Sequence, residues 1–289
     1  MICLWKKGRK ENLVFSVDEM VISLCDGFET QFEIDPDEKL GEGGNAIVYK
    51  CREKITSADY AIKIQVANYE GSEERFNREK TILRSVHHDQ LMTCIASGVI
   101  EMTMGRRRGR YPYVIMPVAD RNMLDLIDAQ HLPSKEDLMG QFCGLSGALA
   151  ELHRWAIHRD IKPQNVLIKG STWILSDFGL CKLVSGDGVD ITMADDKVGP
   201  VYWMSPESMN RVLGNGDEIT KASDVFQLAA VFWFAATGRH PTGIVSRSDW
   251  HGADSVYNVL ERALSHSPSV RPQDGEEFYS QIVEAVRHA

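Results

Sequence analysis

The chain has 289 residues, of which 43% are hydrophobic and 25% charged, and its formal net charge is −9. That length supports one large bilobal domain or two small ones, and that composition excludes a disordered chain. The acidic balance argues against non-specific binding of nucleic acid through the whole surface. Residues 1–35 alternate polar and apolar in short pieces, Leu13-Val14-Phe15-Ser16-Val17 and then Val21-Ile22-Ser23-Leu24, which predict one or two extra strands of unreadable role. From residue 40 to 64 the period stays near two, broken by glycines at 41–44: a strand, a tight turn and two more strands. Residues 73–86 change to helical period, with Phe76, Ile82, Leu83 and Val86 apolar among charges. Strand-like segments return at 92–102 and 113–118, around a basic turn, Arg106-Arg107-Arg108-Gly109-Arg110, that reads as solvated. After Ala119 the pattern becomes largely helical, and the uncharged run 226–238 is too short to span a bilayer and reads as a buried helix.

Six cysteines (3, 25, 51, 94, 143 and 181) lack CxxC spacing, so neither a disulfide framework nor a zinc site is expected. The start, MICLWKKGRK, has too short an apolar run for a signal peptide. Reduced thiols and no membrane segment point to a cytoplasmic protein. A β-rich first third and a helical remainder, joined near residues 117–120, suggest two lobes with a cleft, where cofactors often sit.

The chemistry concentrates in His158-Arg159-Asp160-Ile161-Lys162-Pro163-Gln164-Asn165 and, shortly after, Asp177-Phe178-Gly179. A carboxylate able to take a hydroxyl proton, a lysine beside it, an amide oxygen and a second carboxylate occur in order. Upstream, Gly41-Glu42-Gly43-Gly44-Asn45-Ala46-Ile47-Val48 is a glycine-rich turn of the kind that lets backbone N–H groups approach phosphate oxygens, although such hairpins are also common without a ligand. Tyr60-Ala61-Ile62-Lys63 ends a strand on a lysine, which by itself is most often a solvated edge residue. Any single Asp or Asn here is more often a cap; the joint spacing is what is specific.

HRDxKxxN followed by DFG resembles the catalytic and magnesium-binding loops of the eukaryotic-type protein kinases. The resemblance runs from about Leu40 to the C-terminal end. It implies an α+β, protein-kinase-like bilobal fold over residues 36–289, with a small β-rich N-lobe (about 36–118) and a larger, mainly helical C-lobe (about 119–289), preceded by an N-terminal extension, 1–35. It implies ATP and Mg2+ as cofactors and a protein substrate, with no nucleic-acid or membrane partner, and it is compatible with autophosphorylation in trans. By this resemblance Asp160, Lys162 and Asn165 are catalytic, and Asn165 and Asp177 hold the metal. Gly41, Glu42, Gly43, Gly44, Val48, Ala61, Lys63, Glu79, Met116, Pro117, Ala119 and Leu167 line the nucleotide. Lys63 would pair the α- and β-phosphates while held by Glu79, with Glu74 the weaker candidate. Met116 would be the gatekeeper, and Ala119 would donate its N–H to the adenine. Asp224 resembles the aspartate that anchors the catalytic-loop backbone, and Glu207 with Arg271 resembles the family's structural ion pair.

The pattern bends in places. Ala46 stands at the third glycine of the loop. Lys162-Pro163 favours serine or threonine as acceptor, whereas Pro200 and Trp203-Met204-Ser205-Pro206-Glu207 look more like tyrosine kinases. Asp196, with Asp195 beside it, stands where a phosphorylated residue commonly meets Arg159, so a carboxylate in place of the phosphate is one reading and a solvated acidic loop the other; Thr192 and Ser185 are candidate phosphosites. The stretch after Gly238-Arg239-His240-Pro241 is short for the family, which bears on partner docking. The expected activity is transfer of the γ-phosphate of ATP to a protein hydroxyl. The alternatives are a non-catalytic scaffold, against which intact Lys63, Asp160, Asn165 and Asp177 argue, and a tyrosine or dual-specificity kinase.

Overall fold

The computed structural model describes residues 3–6, 9–13, 15–20, 31–67, 69, 71–104, 107–128, 134–184 and 201–289. The chain divides into two compact units, one made of residues 1–84 and 92–119, the other of 85–91 and 120–289.

In the first unit the strands are β1 (Cys3–Lys6), β2 (Arg9–Leu13), β3 (Phe15–Met20), β4 (Gln31–Glu42), β5 (Ala46–Glu53) and β6 (Asp59–Gln65). Helix α1 (Ser72–Ser85) follows, then β7 (Ala96–Met104) and β8 (Arg107–Pro117). All eight strands join one sheet in the order β2-β1-β4-β5-β6-β8-β7-β3. Alternation sorts the faces. Ile62, Ile64, Tyr113 and Ile115 turn to one side and pack with Phe32, Ile34, Cys51 and Ile100 as the core. The residues between them turn to the other side.

Three strands rather than one or two precede residue 31, and β1 runs parallel to β4 while β3 pairs with β7. The second segment expected there, 21–24, lies outside the described residues. β4 starts at Gln31, not near 40, because register shifts between Ile34 and Gly41 interrupt its alternation. Residues 92–95 are not strand: the Cys94 N–H caps the end of α1 at the Leu83 carbonyl, and pairing resumes at Ala96. The basic turn becomes the start of β8, where exposed Arg110 faces Glu101 at 4.0 Å; Arg106 lies outside the described residues.

The second unit contains β9 (Arg121–Asn122), α2 (Met123–Asp128), α3 (Lys135–Leu152), β10 (Ala156–Ile157), β11 (Val166–Lys169), β12 (Thr172–Leu175) and β13 (Lys182–Leu183). Then come α4 (Pro206–Val212), α5 (Lys221–Thr237), α6 (Asp254–Ala263) and α7 (Gly275–Arg287). The uncharged run is α5, buried on most of its surface and closed by Gly238 in the left-handed conformation at φ 69°. Phe142 of α3, Phe232 of α5 and Phe278 of α7 stack in series, with ring centroids 4.0 and 6.0 Å apart. No helix among the described residues is long and apolar enough to cross a membrane. Of the cysteines, Cys51, Cys94, Cys143 and Cys181 are free thiols.

α3 and α7 meet so closely that a Cβ on Gly275 would lie 2.5 Å from the backbone N of Ala150 and the carbonyl carbon of Leu149. Gly275→Ala is therefore expected to force the helices apart and cost about 1–3 kcal/mol of stability, read by chemical denaturation.

Candidate active site

The first unit brings several of the predicted residues to one sheet face. Lys63 lies opposite Val48 on β5 and Val114 on β8, and Ala61 lies opposite Met116. Directly opposed residues share a face, so Val48, Ala61, Lys63 and Met116 stand together on the side away from the Ile62–Ile64 core. On α1, Phe76, Glu79, Ile82 and Leu83 are buried at helical spacing, so Glu79 belongs to the inward stripe rather than to the solvated face. Its carboxylate takes the Lys63 ammonium at 2.6 and 2.8 Å. Glu74, by contrast, is exposed in the first turn. Pro117 ends β8, and both it and Ala119 are half-buried.

Charge-assisted bonds of this kind contribute about 1.5–3 kcal/mol. Glu79→Gln keeps the shape and loses the charge, so kcat/KM for nucleotide is expected to fall roughly 10- to 150-fold, measured by steady-state kinetics.

The β4–β5 hairpin carries the glycines. The Gly43 N–H closes the turn on the Ala46 carbonyl at 3.0 Å, and the Asn45 carbonyl accepts from Val66 and Ala67. Gly41, Gly43 and Gly44 all lack positive φ, and a Cβ on any of them would meet nothing within 4 Å. Neither backbone conformation nor packing in the described chain calls for glycine at these three positions. The space beside their backbone is open. Glu42, on the same hairpin, pairs its carboxylate with Lys39 at 2.6 Å.

In the second unit, α5 holds the loop bearing Asp160. Buried Asp224 accepts from the backbone N–H groups of His158 and Arg159 and from His153 Nε2. His153 Nδ1 in turn accepts the Gly275 N–H at 2.8 Å, which ties the loop to α3 and α7. His158 Nδ1 accepts the Asp160 N–H at 3.3 Å, so its Nε2 proton goes to the Ser176 carbonyl, 3.1 Å away. Gln227 Oε1 accepts from the Ile161 N–H. Three elements thereby set the backbone on both sides of Asp160, and Arg159 just before it adopts φ 72°.

The Asp160 carboxylate is divided. Oδ2 takes Lys162 Nζ at 2.8 Å and Asn165 Nδ2 at 2.9 Å, whereas Oδ1 is buried with no hydrogen-bond partner among the described residues. Burial pushes this carboxyl above the usual aspartate range; Lys162 and His158 pull it down, and Asp177 pushes it up again. Asn165 Nδ2 also bonds the Asp160 carbonyl, which leaves Oδ1 as the remaining polar atom of that amide. Asp177 has φ 63°, and the burial of Phe178 against His158, with ring centroids 5.6 Å apart, pins it. The Ser176 N–H and hydroxyl both bond the Asn165 carbonyl at 2.9 Å, so Asn165 and Asp177 are joined through one residue. An amide oxygen and a carboxylate are hard donors suited to magnesium that keeps water and phosphate oxygens as its other ligands. Among the described residues no group of three or more His, Cys, Asp or Glu is placed to hold a metal ion by itself. Leu167 is half-buried in β11, facing Ile174 and Asn122.

Arg271 gives Nη1 and Nη2 to both oxygens of Glu207, at 2.8 and 3.0 Å. Ser185, Thr192, Asp195, Asp196 and Pro200 lie outside the described residues, and with them the proposed Asp196–Arg159 pairing. Sequence reasoning did not single out His153, Ser176 or Gln227. For Gln227 the signal is present: it is a lone polar residue inside an apolar helical run, three positions after Asp224.

A model of the protein kinase domain matches residues 34–288. The chain belongs to the protein kinase family. It is 29% identical over 274 residues to the serine/threonine-protein kinase PknK of Mycobacterium tuberculosis, which covers 86% of this chain and 23% of PknK. It is 26% identical over 256 residues to PknB of the same organism, covering 86% of this chain and 38% of PknB. A probable serine/threonine-protein kinase PknB of Bifidobacterium longum is 27% identical over 211 residues, 70% of this chain and 30% of that protein. The chain thus spans between about a quarter and two fifths of the length of these relatives. The family resemblance and the α+β expectation hold: the kinase domain begins in a β-rich unit and ends in a helical one.

Proposed function

We propose that this kinase domain transfers the γ-phosphate of ATP to a serine or threonine hydroxyl of a protein, with Mg2+ as the metal. Asp160 Oδ1 carries this reading: a buried carboxylate oxygen without a hydrogen-bond partner among the described residues, on a side chain whose other oxygen is fixed by Lys162 and Asn165. An acceptor hydroxyl donates to Oδ1 and is oriented there, and its proton passes to the same atom. Lys162 offsets negative charge at the reacting phosphoryl group. Lys63, steered by Glu79, takes the nucleotide's phosphates, with the hairpin N–H groups of residues 41–44. Asn165 and Asp177 hold the metal through oxygen. Bound magnesium nucleotide supplies the electrophilic phosphorus and a leaving group whose charge the metal neutralises.

Serine or threonine as acceptor is supported by Lys162 and by the printed names of the relatives. Free thiols at Cys51, Cys94, Cys143 and Cys181 are compatible with a reducing, cytoplasmic setting. Incubation with labelled ATP and Mg2+, followed by phosphosite mapping, tests the proposal. Phosphoserine or phosphothreonine on the chain or on a generic substrate supports it, and transfer between a tagged inactive copy and an active one would place autophosphorylation in trans. Phosphotyrosine alone overturns the acceptor class, and no transfer at all favours the scaffold reading.

A further inference from the structure

Gln227 does something that Asp224, one turn earlier on α5, does not. Its Oε1 accepts the Ile161 N–H at 3.2 Å, next to Asp160, and its Nε2 donates to the Trp203 carbonyl at 3.1 Å. The side chain is 1% exposed, so neither bond can be replaced by water without opening the packing. Trp203 is itself held: its indole lies edge-on to Phe234 of α5, with centroids 5.3 Å apart, and to His240 at 4.6 Å. Its neighbour Tyr202 is 79% exposed, so a pinned residue adjoins an outward-facing one. Ser205 then caps α4 by accepting from Ser208. An amide is a donor at one end and an acceptor at the other, with the two fixed in one plane. That is the chemistry needed to join a backbone N–H on one loop to a backbone carbonyl on another.

We propose that Gln227 is a positioning residue that sets residues 201–205 against the loop carrying Asp160, so that the polypeptide bearing the acceptor hydroxyl is held in register with Oδ1. The kinetic part of this rests on the kinase activity proposed above. Gln227 acts through Ile161 and Trp203 and touches no reacting atom.

The experiment pairs hydrogen exchange with kinetics on the full chain. Gln227→Met keeps the length and removes both bonds. Gln227→Asn keeps the amide but is one methylene too short to span both ends, and it serves if the methionine variant does not fold. Exchange is expected to quicken in peptides covering both 158–162 and 201–208, with α3, α6 and α7 still protected. KM for a protein acceptor is expected to rise about tenfold, with KM for ATP and the slow hydrolysis of ATP by water unchanged. Faster exchange in only one of the two segments, in neither, or uniformly across the unit overturns the inference. So does a fall in kcat with both KM values unchanged. If the parent protein transfers no phosphate, the kinase reading fails and the exchange pattern alone decides the coupling.

Discussion

Asp160→Asn is expected to lower kcat for phosphoryl transfer by about 10²–10⁴-fold, the usual contribution of a positioned proton acceptor. Asparagine preserves the size of a side chain that is 4% exposed, and its oxygen can still receive Lys162, so the loop stays built. What it loses is a carboxylate oxygen at Oδ1, which has no hydrogen-bond partner among the described residues. Stability responds in the opposite sense. Burial raises the Asp160 pKa in the folded state, more than Lys162 and His158 lower it. The fold therefore favours the protonated acid: that stabilisation is complete below the ordinary aspartate value and is lost as pH rises through the raised one. At neutral pH the Asn variant is expected to be at least as stable as the parent, and the margin should close below the ordinary aspartate range. Denaturation across pH measures this. In the active parent, the acid limb of kcat/KM should sit above the usual aspartate range. A variant that retains activity within a few fold would remove Asp160 from the chemistry.

Arg271→Met is expected to destabilise the second unit by about 3–5 kcal/mol, the cost of stranding a buried charge. Five guanidinium N–H groups find five acceptors: the two Glu207 oxygens and the carbonyls of Ser265, His266 and Ala222. The guanidinium carbon also sits 4.9 Å from the Phe226 ring. Burial alone would push the Glu207 carboxyl up, but Arg271 and Ser223 outweigh it, and the net pKa is lowered. A lowered carboxylate stabilises the fold above its unfolded value, and the contribution is lost as pH falls through the folded one. The gap between parent and Arg271→Met should therefore be widest near neutrality and shrink on acidification. Urea melts at both ends of that window check it, and a gap that grows with acid would contradict the ion-pair origin. Arg271→Lys should recover only part of the loss, because an ammonium cannot reach the flanking carbonyls in the same plane.

Much of the catalytic loop is legible in the chain because its chemistry depends on close spacing. HRDxKxxN places Asp160, Lys162 and Asn165 within a few residues, and the fold then joins them by short side-chain bonds. The Lys63–Glu79 pair is legible through the family resemblance alone, and the fold gives it a physical basis: helical period puts Glu79 in line with Phe76 and Leu83, where an unpaired carboxylate would be costly. What escapes reading depends on contacts distant in sequence. Gln227 bonds Ile161, 66 residues away; its place as a lone polar residue in an apolar run marks it out but does not name that partner. His153 bonds Gly275 across 122 residues. The start of β4 escapes for a local reason, since bulges near residues 34–41 hide its alternation.

The left-handed backbone at Asp177, φ 63°, has a bearing on how this protein could be engineered. An ordinary side chain in that conformation costs of the order of 1 kcal/mol, which glycine would relieve. The side chain is exposed, so little packing opposes such a change. Selection for heat tolerance and selection for turnover thus pull this codon in opposite directions. A library screened only for survival at high temperature would drift toward well-folded molecules that have given up the carboxylate proposed to hold the metal.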